Sequence, residues 1–247
     1  MHFHQRISIY YSNLTKNDKI ICHAILKNPN IVQNNIQEFA KTIGTSPAAI
    51  LRCSKKLGYK GFADLKLSLE KEPVENIEAS IKKNPVLAQI KELITQFEES
   101  DFENDISFII NTINNSKRTI AIGIGNSSLP AQQLMYSLYT KQKSIECITT
   151  ETAIEYLAES LEDGMFLIIF SVSGNPNIYK NIFNNAKFTN TKIILLTMNS
   201  ELQLPANIKK IIIPSFPTEI CNDGLLNQFD NRLSLFIFSE MISIKYK

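Results

Sequence analysis

Histidine, cysteine and tryptophan are scarce in this chain, which has three histidines, four cysteines and no tryptophan in 247 residues. All three histidines fall within the first 23 residues, so acid–base chemistry in the rest of the chain would depend on carboxylates. No two of the cysteines, at positions 22, 53, 147 and 221, have the spacing of zinc ligands, which indicates a reduced protein with no metal site. His2 and His4 could share a metal ion, but we expect a frayed N-terminus there instead.

Long hydrophobic runs are also missing. Apolar stretches such as Met165–Phe170 reach only about six residues, whereas a helix that crosses a membrane needs roughly 20. The first residues, MHFHQRISIYYSN, contain neither a long apolar stretch nor the small-residue cleavage site of a secretory signal. We therefore expect a cytoplasmic protein with no membrane segment.

The charge is distributed unevenly along the chain, although the net charge is only +2. Residues 1–75 carry 11 basic and 6 acidic residues, a net charge of +5, and the remaining residues carry 15 and 18, a net charge of −3. A basic first third favours contact with a polyanion such as nucleic acid. A solvated helical face can have the same charge, so the charge alone does not distinguish a nucleic-acid-binding segment from an ordinary helical surface.

Four short helices are predicted between residues 14 and 71, because apolar residues recur there at helical spacing. The second helix follows Asn35 and stops at Gly44, where glycine permits the left-handed backbone of a helix C-terminus. Ser46 is a suitable N-cap for the third helix, which ends at Gly58. This part of the chain therefore reads as an all-α bundle that contains a helix, a tight turn and a second helix.

The third predicted helix has the features of a DNA-reading helix. Small or polar residues at its N-terminal end would let it approach base edges in the major groove, and basic residues further along would reach phosphates. The alternative is a small helical bundle with a basic face that binds no DNA. The candidate DNA-binding residues are Ser46, Ala48, Ala49, Arg52, Lys55 and Lys56.

The rest of the chain alternates between β-rich runs and amphipathic helices, which predicts a three-layer α/β domain with a parallel sheet. We expect a helix-turn-helix domain over residues 1–75, a helical linker over residues 76–103 and the α/β domain over residues 104–247. Predicted strands lie at 119–124, 144–148, 165–170, 192–197 and 209–213, and predicted helices at 127–141, 151–160, 177–187 and 225–245.

Two turns rich in small residues follow predicted strands of this domain. They read GIGNSS at residues 123–128 and SVSGN at residues 171–175. Hydroxyl groups and unpaired N–H groups at two helix N-termini can bind a dianionic phosphate. A dinucleotide site is disfavoured because Ser128 replaces the third glycine of its fingerprint, and no P-loop sequence occurs. Ordinary β–α turns with serine caps remain an alternative.

The segments TSPAAILR and KKLGYKGFADLK resemble the N-terminal domain of RpiR-type transcriptional regulators, and the resemblance covers residues 14–71. It implies that the helix from Ser46 to Lys56 is the recognition helix. Ala49 stands where family members often have threonine, which implies the loss of one DNA contact. Cys53 stands where they often have phenylalanine, which implies a repacked core position.

The two serine-rich turns are similar to those of the sugar isomerase (SIS) domain, whose phosphate loop reads S-x-S-G-x-T. This resemblance runs from about residue 104 to the end, and SIS domains commonly follow RpiR-type DNA readers. It implies that Ser127, Ser171 and Ser173 hold a phosphate, with Ser128 in a lesser role. Pro176 replaces the threonine that closes the motif, so one hydroxyl and one N–H group are lost.

The resemblances together imply a transcriptional regulator of sugar metabolism, with no enzyme activity and no cofactor. Its expected partners are operator duplex DNA, a small phosphorylated sugar and further copies of the chain, as a homodimer or tetramer. The last predicted helix is more apolar than one covered face requires, which favours self-association. One alternative is a sugar-phosphate isomerase that uses Glu151, Glu155 or Glu219 as its base, and another is a regulator whose SIS domain only dimerises.

Overall fold

The structure is a computed structural model, and it describes residues 1–71, 85–216, 219–220, 226–227 and 232–247. The chain divides into two compact units, one formed by Met1–Ile90 with Ser215–Asp230 and the other by Lys91–Pro214 with Asn231–Lys247. Each unit has a hydrophobic core of its own. Within the described ranges, no helix combines the length and the apolar character that crossing a membrane requires.

The described part of the first unit is helical, as the spacing of apolar residues predicts. Its core is formed by side chains from successive helices, among them Ile21, Phe39, Ile50 and Leu65. Short helices of this kind depend on tertiary burial, because isolated helices of similar length are marginal in water. The helices are α1 (Phe3–Tyr10), α2 (Lys16–Lys27), α3 (Ile36–Thr42), α4 (Pro47–Lys56) and α5 (Phe62–Glu70).

The first residues form α1, so the expectation of a frayed N-terminus is wrong. Phe3 and Ile7 are almost completely buried in the core of the first unit. Arg6 is also buried, and its Nη1 donates a hydrogen bond to the carbonyl oxygen of Leu57, 3.1 Å away. The guanidinium group lies over the ring of Tyr59, 4.3 Å from its centre. These contacts join residues far apart in sequence, which is why local pattern did not reveal α1.

The second unit is a five-stranded parallel sheet with helices on both faces, which confirms the predicted fold class. The strand order is β2-β1-β3-β4-β5. The strands are β1 (Arg118–Gly123), β2 (Glu146–Ile148), β3 (Met165–Phe170), β4 (Lys192–Thr197) and β5 (Ile208–Ile212). The helices are α6 (Pro85–Glu99), which begins in the first unit, α7 (Glu103–Asn115), α8 (Ser128–Tyr139), α9 (Glu151–Glu159), α10 (Pro176–Asn185) and α11 (Arg232–Lys245).

Side chains on the central strands alternate between the two helical layers. Leu167 of β3 shares a core with Ile154 of α9 and Ile182 of α10. On the other face, α8 packs against β1 and β3 and is accompanied by α7 and α11. All six residues of β3 are buried, as expected for the centre of a parallel sheet that is covered on both faces.

The chain leaves β1 towards one edge of the sheet, at β2, and then returns to build β3, β4 and β5 on the other side. The carboxyl ends of β1 and β3 therefore flank the topological switch point, where sheets of this strand order bind their ligands. Gly123, the last residue of β1, pairs with Phe170, the last residue of β3. The turns that follow these two strands are consequently neighbours.

The last helix begins later than predicted. Helix α11 starts at Arg232, whereas the apolar pattern predicted a helix from residue 225. Leu226 instead pairs with Ile220 in a short antiparallel ladder of β6 (Glu219–Ile220) and β7 (Leu226–Asn227). The sequence between these strands contains an Asp–Gly pair, which is a common hairpin signal. The helical spacing of the apolar residues in the same segment led to the wrong prediction of a helix.

Candidate DNA-reading helix and phosphate-binding turns

The turn between α3 and α4 has the geometry of a helix C-terminus followed immediately by a helix start. Gly44 has a φ of 68°, and the N–H of Thr45 donates to the carbonyl oxygen of Ala40 at 2.9 Å. The side-chain oxygen of Ser46 then accepts a hydrogen bond from the N–H of Ala49 at 3.2 Å and caps α4. The predicted helix-turn-helix is therefore present, and its second helix is α4.

Helix α4 turns one continuous face to solvent. Four of its exposed residues recur three or four positions apart, so their side chains lie together within about one third of the helix circumference, and exposed Pro47 and Lys56 flank them. Residues on the opposite side, among them Ile50 and Cys53, are buried in the core of the first unit. The outward face of α4 consists of Ala48, Leu51, Arg52 and Lys55, and exposed Ser46 lies at its N-terminal end.

Two of the predicted DNA-binding residues have partners within the first unit. Ala49 is only 6% exposed, because its side chain belongs to the core of the first unit. Lys56 is exposed, and its ammonium group lies 2.5 Å from a carboxylate oxygen of Asp18, which is buried. Contact of either residue with DNA stays a prediction.

Asp18 ties the N-terminus of α2 to the end of α4. Its Oδ2 accepts hydrogen bonds from the backbone N–H of Thr15 at 2.9 Å and from the hydroxyl of Thr15 at 2.7 Å, and it is also the atom that meets Lys56. Burial acts to raise the pKa of the Asp18 carboxyl, but the hydrogen bonds from Lys56 and Thr15 outweigh burial and lower the pKa below its usual value. Asp18 is thus held in its charged form.

The first serine-rich turn has a conformation that only glycine allows at its start. A Cβ atom on Gly123 would lie 2.1 Å from the carbonyl oxygen of Ser127, far inside contact distance. Gly125 has a φ of 57°, and residues Gly125–Ser127 form a single 3-10 turn before α8 begins at Ser128. Ser127 is 6% exposed and occupies the N-cap position of α8 without a side-chain cap hydrogen bond.

The second serine-rich turn is held by residues at the end of β4. The hydroxyl of Thr197 donates to the carbonyl oxygen of Val172 at 3.0 Å, and the side-chain amide of Asn199 donates to that of Ser173 at 3.1 Å. Gly174 has a φ of 63°, and a Cβ there would lie 2.5 Å from a methyl group of Leu202. Reasoning from sequence missed Thr197 and Asn199; their signal is the polar segment TMNS directly after a buried strand.

Pro176 is the first residue of α10, a position where the missing N–H breaks no helical hydrogen bond. The next N–H, that of Asn177, donates to the side chain of Asn175 at 3.1 Å. Buried Tyr179 of α10 lies within electrostatic reach of the Ser171 hydroxyl, and burial raises the pKa of Tyr179 to about 12. A proline also stands in the first turn of α8, at Pro130, so each of the two helices lacks one N-terminal N–H donor.

The structure brings the four predicted phosphate-binding residues to the same edge of the sheet, because their turns follow the paired ends of β1 and β3. Glu151, the first residue of α9, acts electrostatically on Tyr179 and so lies near this edge. Glu155 is exposed one turn further along α9, and the side chain of Glu219 lies outside the described part of the structure. The four residues are Ser127, Ser128, Ser171 and Ser173.

The described residues contain other grooves and side-chain clusters, which carry no part of these two candidate sites. A groove of about 610 Å³ is lined by the first residues of β4 and β5, at the amino edge of the sheet. Among the described residues, no group of three or more histidine, cysteine, aspartate or glutamate side chains is arranged to hold a metal ion. The rings of His2 and His4 stack with their centres 5.7 Å apart. Cys221 lies outside the described residues.

Residues 1–75 match the family model of the helix-turn-helix domain, rpiR family. This part of the chain is an rpiR-family helix-turn-helix domain. An uncharacterised HTH-type transcriptional regulator of Clostridium perfringens is 27% identical over 207 residues, which are 76% of this chain and 72% of that protein. The rpiR-family assignment thus places α3 and α4 in a domain type that occurs in transcriptional regulators.

The remaining part of the chain has the fold of a sugar isomerase domain. The sugar isomerase domain of an RpiR transcription factor from Sphaerobacter thermophilus has a TM-score of 0.51 at 13% identity, and covers 65% of this chain and 86% of that one. An Escherichia coli CFT073 protein, solved in complex with a phosphosugar, has a TM-score of 0.52 at 16% identity, over 65% of this chain and 82% of that one. At these identities the likeness shows the fold.

Proposed function

We propose that this chain is a DNA-binding transcriptional regulator of sugar metabolism, which reads its operator with α4 and senses a phosphorylated sugar at the carboxyl edge of its sheet. The observation that carries the proposal is the outward face of α4 within an rpiR-family helix-turn-helix domain. The relatives named as HTH-type transcriptional regulators support it. Binding to chromosomal DNA would make the cytoplasm its place of action.

The outward face of α4 suits the major groove by size and charge. Ala48, near the N-terminal end of α4, is small enough to let the helix approach base edges, and Ser46 lies just before it. Arg52, one turn further, can form the bidentate hydrogen bonds that recognise guanine. Lys55, one turn beyond Leu51 and about two turns beyond Ala48 on the same face, carries a point charge that suits a phosphate. The proposed contacts of Ala48 are thus steric, whereas those of Arg52 and Lys55 are electrostatic.

We expect substitution of Arg52 and of Lys55 to change DNA affinity in different ways, measured on a duplex that the protein selects from random sequences. Arg52→Ala should weaken specific binding by about 1–3 kcal/mol and relax the preference for one base. Lys55→Ala should weaken binding to every sequence and reduce the salt dependence by about one phosphate contact. Lys71→Ala removes an equal charge from the exposed end of α5 and serves as the control. Unchanged affinity in both α4 variants would contradict the assignment of α4.

Sensing of a sugar phosphate is proposed from the two turns at the switch point of the sheet. A phosphate carries nearly two negative charges, and the N-terminus of α8 offers partial positive charge beside Ser127 and Ser128. The Escherichia coli protein of similar fold, solved with a phosphosugar, supports a ligand of this class.

Calorimetric titration with a panel of sugar phosphates tests this site directly. Wild-type protein should bind at least one member, and Ser173→Ala should bind it more weakly. Ser144→Ala, at an exposed serine beside the start of β2, should bind like wild type. No heat from any member would favour the alternative in which the α/β domain only dimerises.

An isomerase is the second candidate, because Glu151 lies near the same edge and acts on Tyr179. We nevertheless propose that the chain is not an enzyme. The relatives it matches are named as transcriptional regulators, and the two candidate bases on α9, Glu151 and Glu155, are both exposed. A base that abstracts a carbon-bound proton works best when its environment tunes its pKa towards the working pH, which exposure disfavours. Interconversion of aldose and ketose phosphates by the pure protein would reverse this choice.

A homodimer is proposed through the outer surface of α8 and α11. These helices pack side by side, and a buried hydroxyl on α11, Ser239, donates to the carbonyl oxygen of Pro130 in α8. Each helix exposes large apolar side chains, including Tyr136 of α8 at 60% and Ile244 of α11 at 72%. A second copy is the expected occupant, because helix-turn-helix regulators usually read two half-sites as dimers.

Light scattering at micromolar concentration checks the oligomeric state. Wild type should be a dimer or larger, and Tyr136→Glu should be a monomer because it places a charge in the apolar surface. Tyr156→Glu is the matched control, since Tyr156 is 70% exposed on α9, in the opposite helical layer. A monomeric wild type, both with and without DNA, would exclude the dimer.

A further inference from the structure

Leu51 is an apolar side chain on a face that is otherwise small or basic. It is 39% exposed, and it lies on the outward face of α4 between Ala48 and Lys55. The core of the first unit includes its neighbours Ile50 and Cys53 but not Leu51. Packing inside the first unit therefore does not account for a leucine at this position.

The position of Leu51 relative to its neighbours is set by helical geometry. It follows Ala48 by three residues and precedes Lys55 by four, so the three side chains form one short row along the helix surface. Arg52 lies on the other side of this row, about 100° around the axis from Leu51. Any duplex that contacts Arg52 and Lys55 in the major groove would therefore also meet Leu51.

The side chain of Leu51 lies close to Gly61. A Cβ atom added to Gly61 would lie 3.5 Å from Cδ1 of Leu51, which is ordinary contact distance. Because glycine has no side chain, nothing from this residue covers the leucine.

We propose that Leu51 is a specificity-determining residue that contacts the C5 methyl group of a thymine in the operator half-site. The inference rests on the proposed function, because it takes the partner of α4 to be the major groove of duplex DNA. Thymine is the base that presents a methyl group there, and apolar side chains recognise that methyl group by contact.

The test replaces each thymine of the selected duplex by uracil, which removes the methyl group and keeps the base-pairing edge. With the full-length wild-type chain, one uracil position in each half-site should lower affinity about fourfold, the factor expected for burying one methyl group. Leu51→Ala should bind the thymine duplex more weakly than wild type. It should respond less than about twofold to uracil at that position, because the contact is already lost.

Two further variants make the result specific. Leu67→Ala removes an exposed leucine from α5, and it should keep both the affinity and the uracil response of wild type. Arg52→Ala should bind more weakly but keep the uracil response. Circular dichroism melts of Leu51→Ala should match wild type, because the side chain is partly exposed.

The outcomes separate this inference from the proposed function. Specific duplex binding with no thymine-methyl dependence, or with full dependence retained in Leu51→Ala, would overturn the role of Leu51 alone. Absence of any sequence-specific duplex binding by wild type would overturn the proposed function and the role of Leu51 together.

Discussion

At the scale of single residues, Asp18 shows how a buried charge is kept ionised. Asp18→Asn should reduce the free energy of unfolding by about 1–3 kcal/mol at pH 7, because it removes the carboxylate that accepts from Thr15 and Lys56. The pKa of Asp18 is lowered by folding, so the unfolded chain binds more protons than the folded one as the pH falls. The stabilisation is therefore present above about pH 4 and is lost as the pH falls through the folded-state pKa.

Urea unfolding followed by circular dichroism at several pH values measures this effect, and the difference between Asp18→Asn and wild type should shrink below about pH 4. Glu70→Gln, at an exposed position in α5, should not change stability and is the matched control. An Asp18→Asn variant as stable as wild type at pH 7 would show that Lys56 and Thr15 contribute nothing through this carboxylate.

At the scale of elements, a glycine with a left-handed backbone follows both α3 and α4, but the two glycines have different surroundings. Gly44 and Gly58 both have a positive φ, at 68° and 82°. No atom lies within 4 Å of a Cβ added at Gly44, whereas a Cβ at Gly58 would lie 2.9 Å from Nη1 of Arg6. That guanidinium group is buried and bonded to Leu57, so it cannot move away without losing the hydrogen bond.

We expect Gly44→Ala to cost about 1–2 kcal/mol of stability, the conformational strain alone. Gly58→Ala should cost at least about 1 kcal/mol more, because it also displaces Arg6 from its partner. Chemical denaturation of the two variants gives the comparison. Equal losses would show that Arg6 adapts freely and that α1 does not restrain the end of α4.

At the scale of the whole molecule, the proposal joins two binding events in one chain. A sugar phosphate bound at the turns near Ser127 and Ser173 should change operator affinity by about 5- to 150-fold, a typical range for coupling between sites. By linkage, the operator should change the affinity for the sugar phosphate by the same factor. The ligand can shift DNA binding only through a difference in its affinity for two arrangements of the protein.

Fluorescence anisotropy with and without the sugar phosphate measures one factor, and calorimetry with and without operator measures the other. Ser173→Ala should require more ligand to reach the same effect on DNA binding and should leave ligand-free DNA binding intact. A ligand that binds tightly but leaves operator affinity unchanged would contradict coupling between the sites.

Most of the fold could be predicted from sequence because its signals are local. The capping serine at position 46, glycine at 44 and the helical apolar spacing identify α3 and α4 without knowledge of the rest of the molecule. Alternation of β-rich runs with helices likewise identified the parallel sheet. The predicted domain boundaries and site residues remain predictions, although the structure shows where each described residue lies.

The sequence by itself determined helices α2–α5, the strands of the sheet and the two serine-rich turns. Each of these elements depends on residues within a few positions of one another. Only the tertiary structure decided the contacts between distant residues. In the folded chain Lys56 pairs with Asp18, and Ala49 is buried in the core. Arg6 of α1 donates to the carbonyl oxygen of Leu57, and Asn199, just after β4, donates to that of Ser173. These contacts depend on how distant segments pack together, which the spacing of residues along the chain does not record.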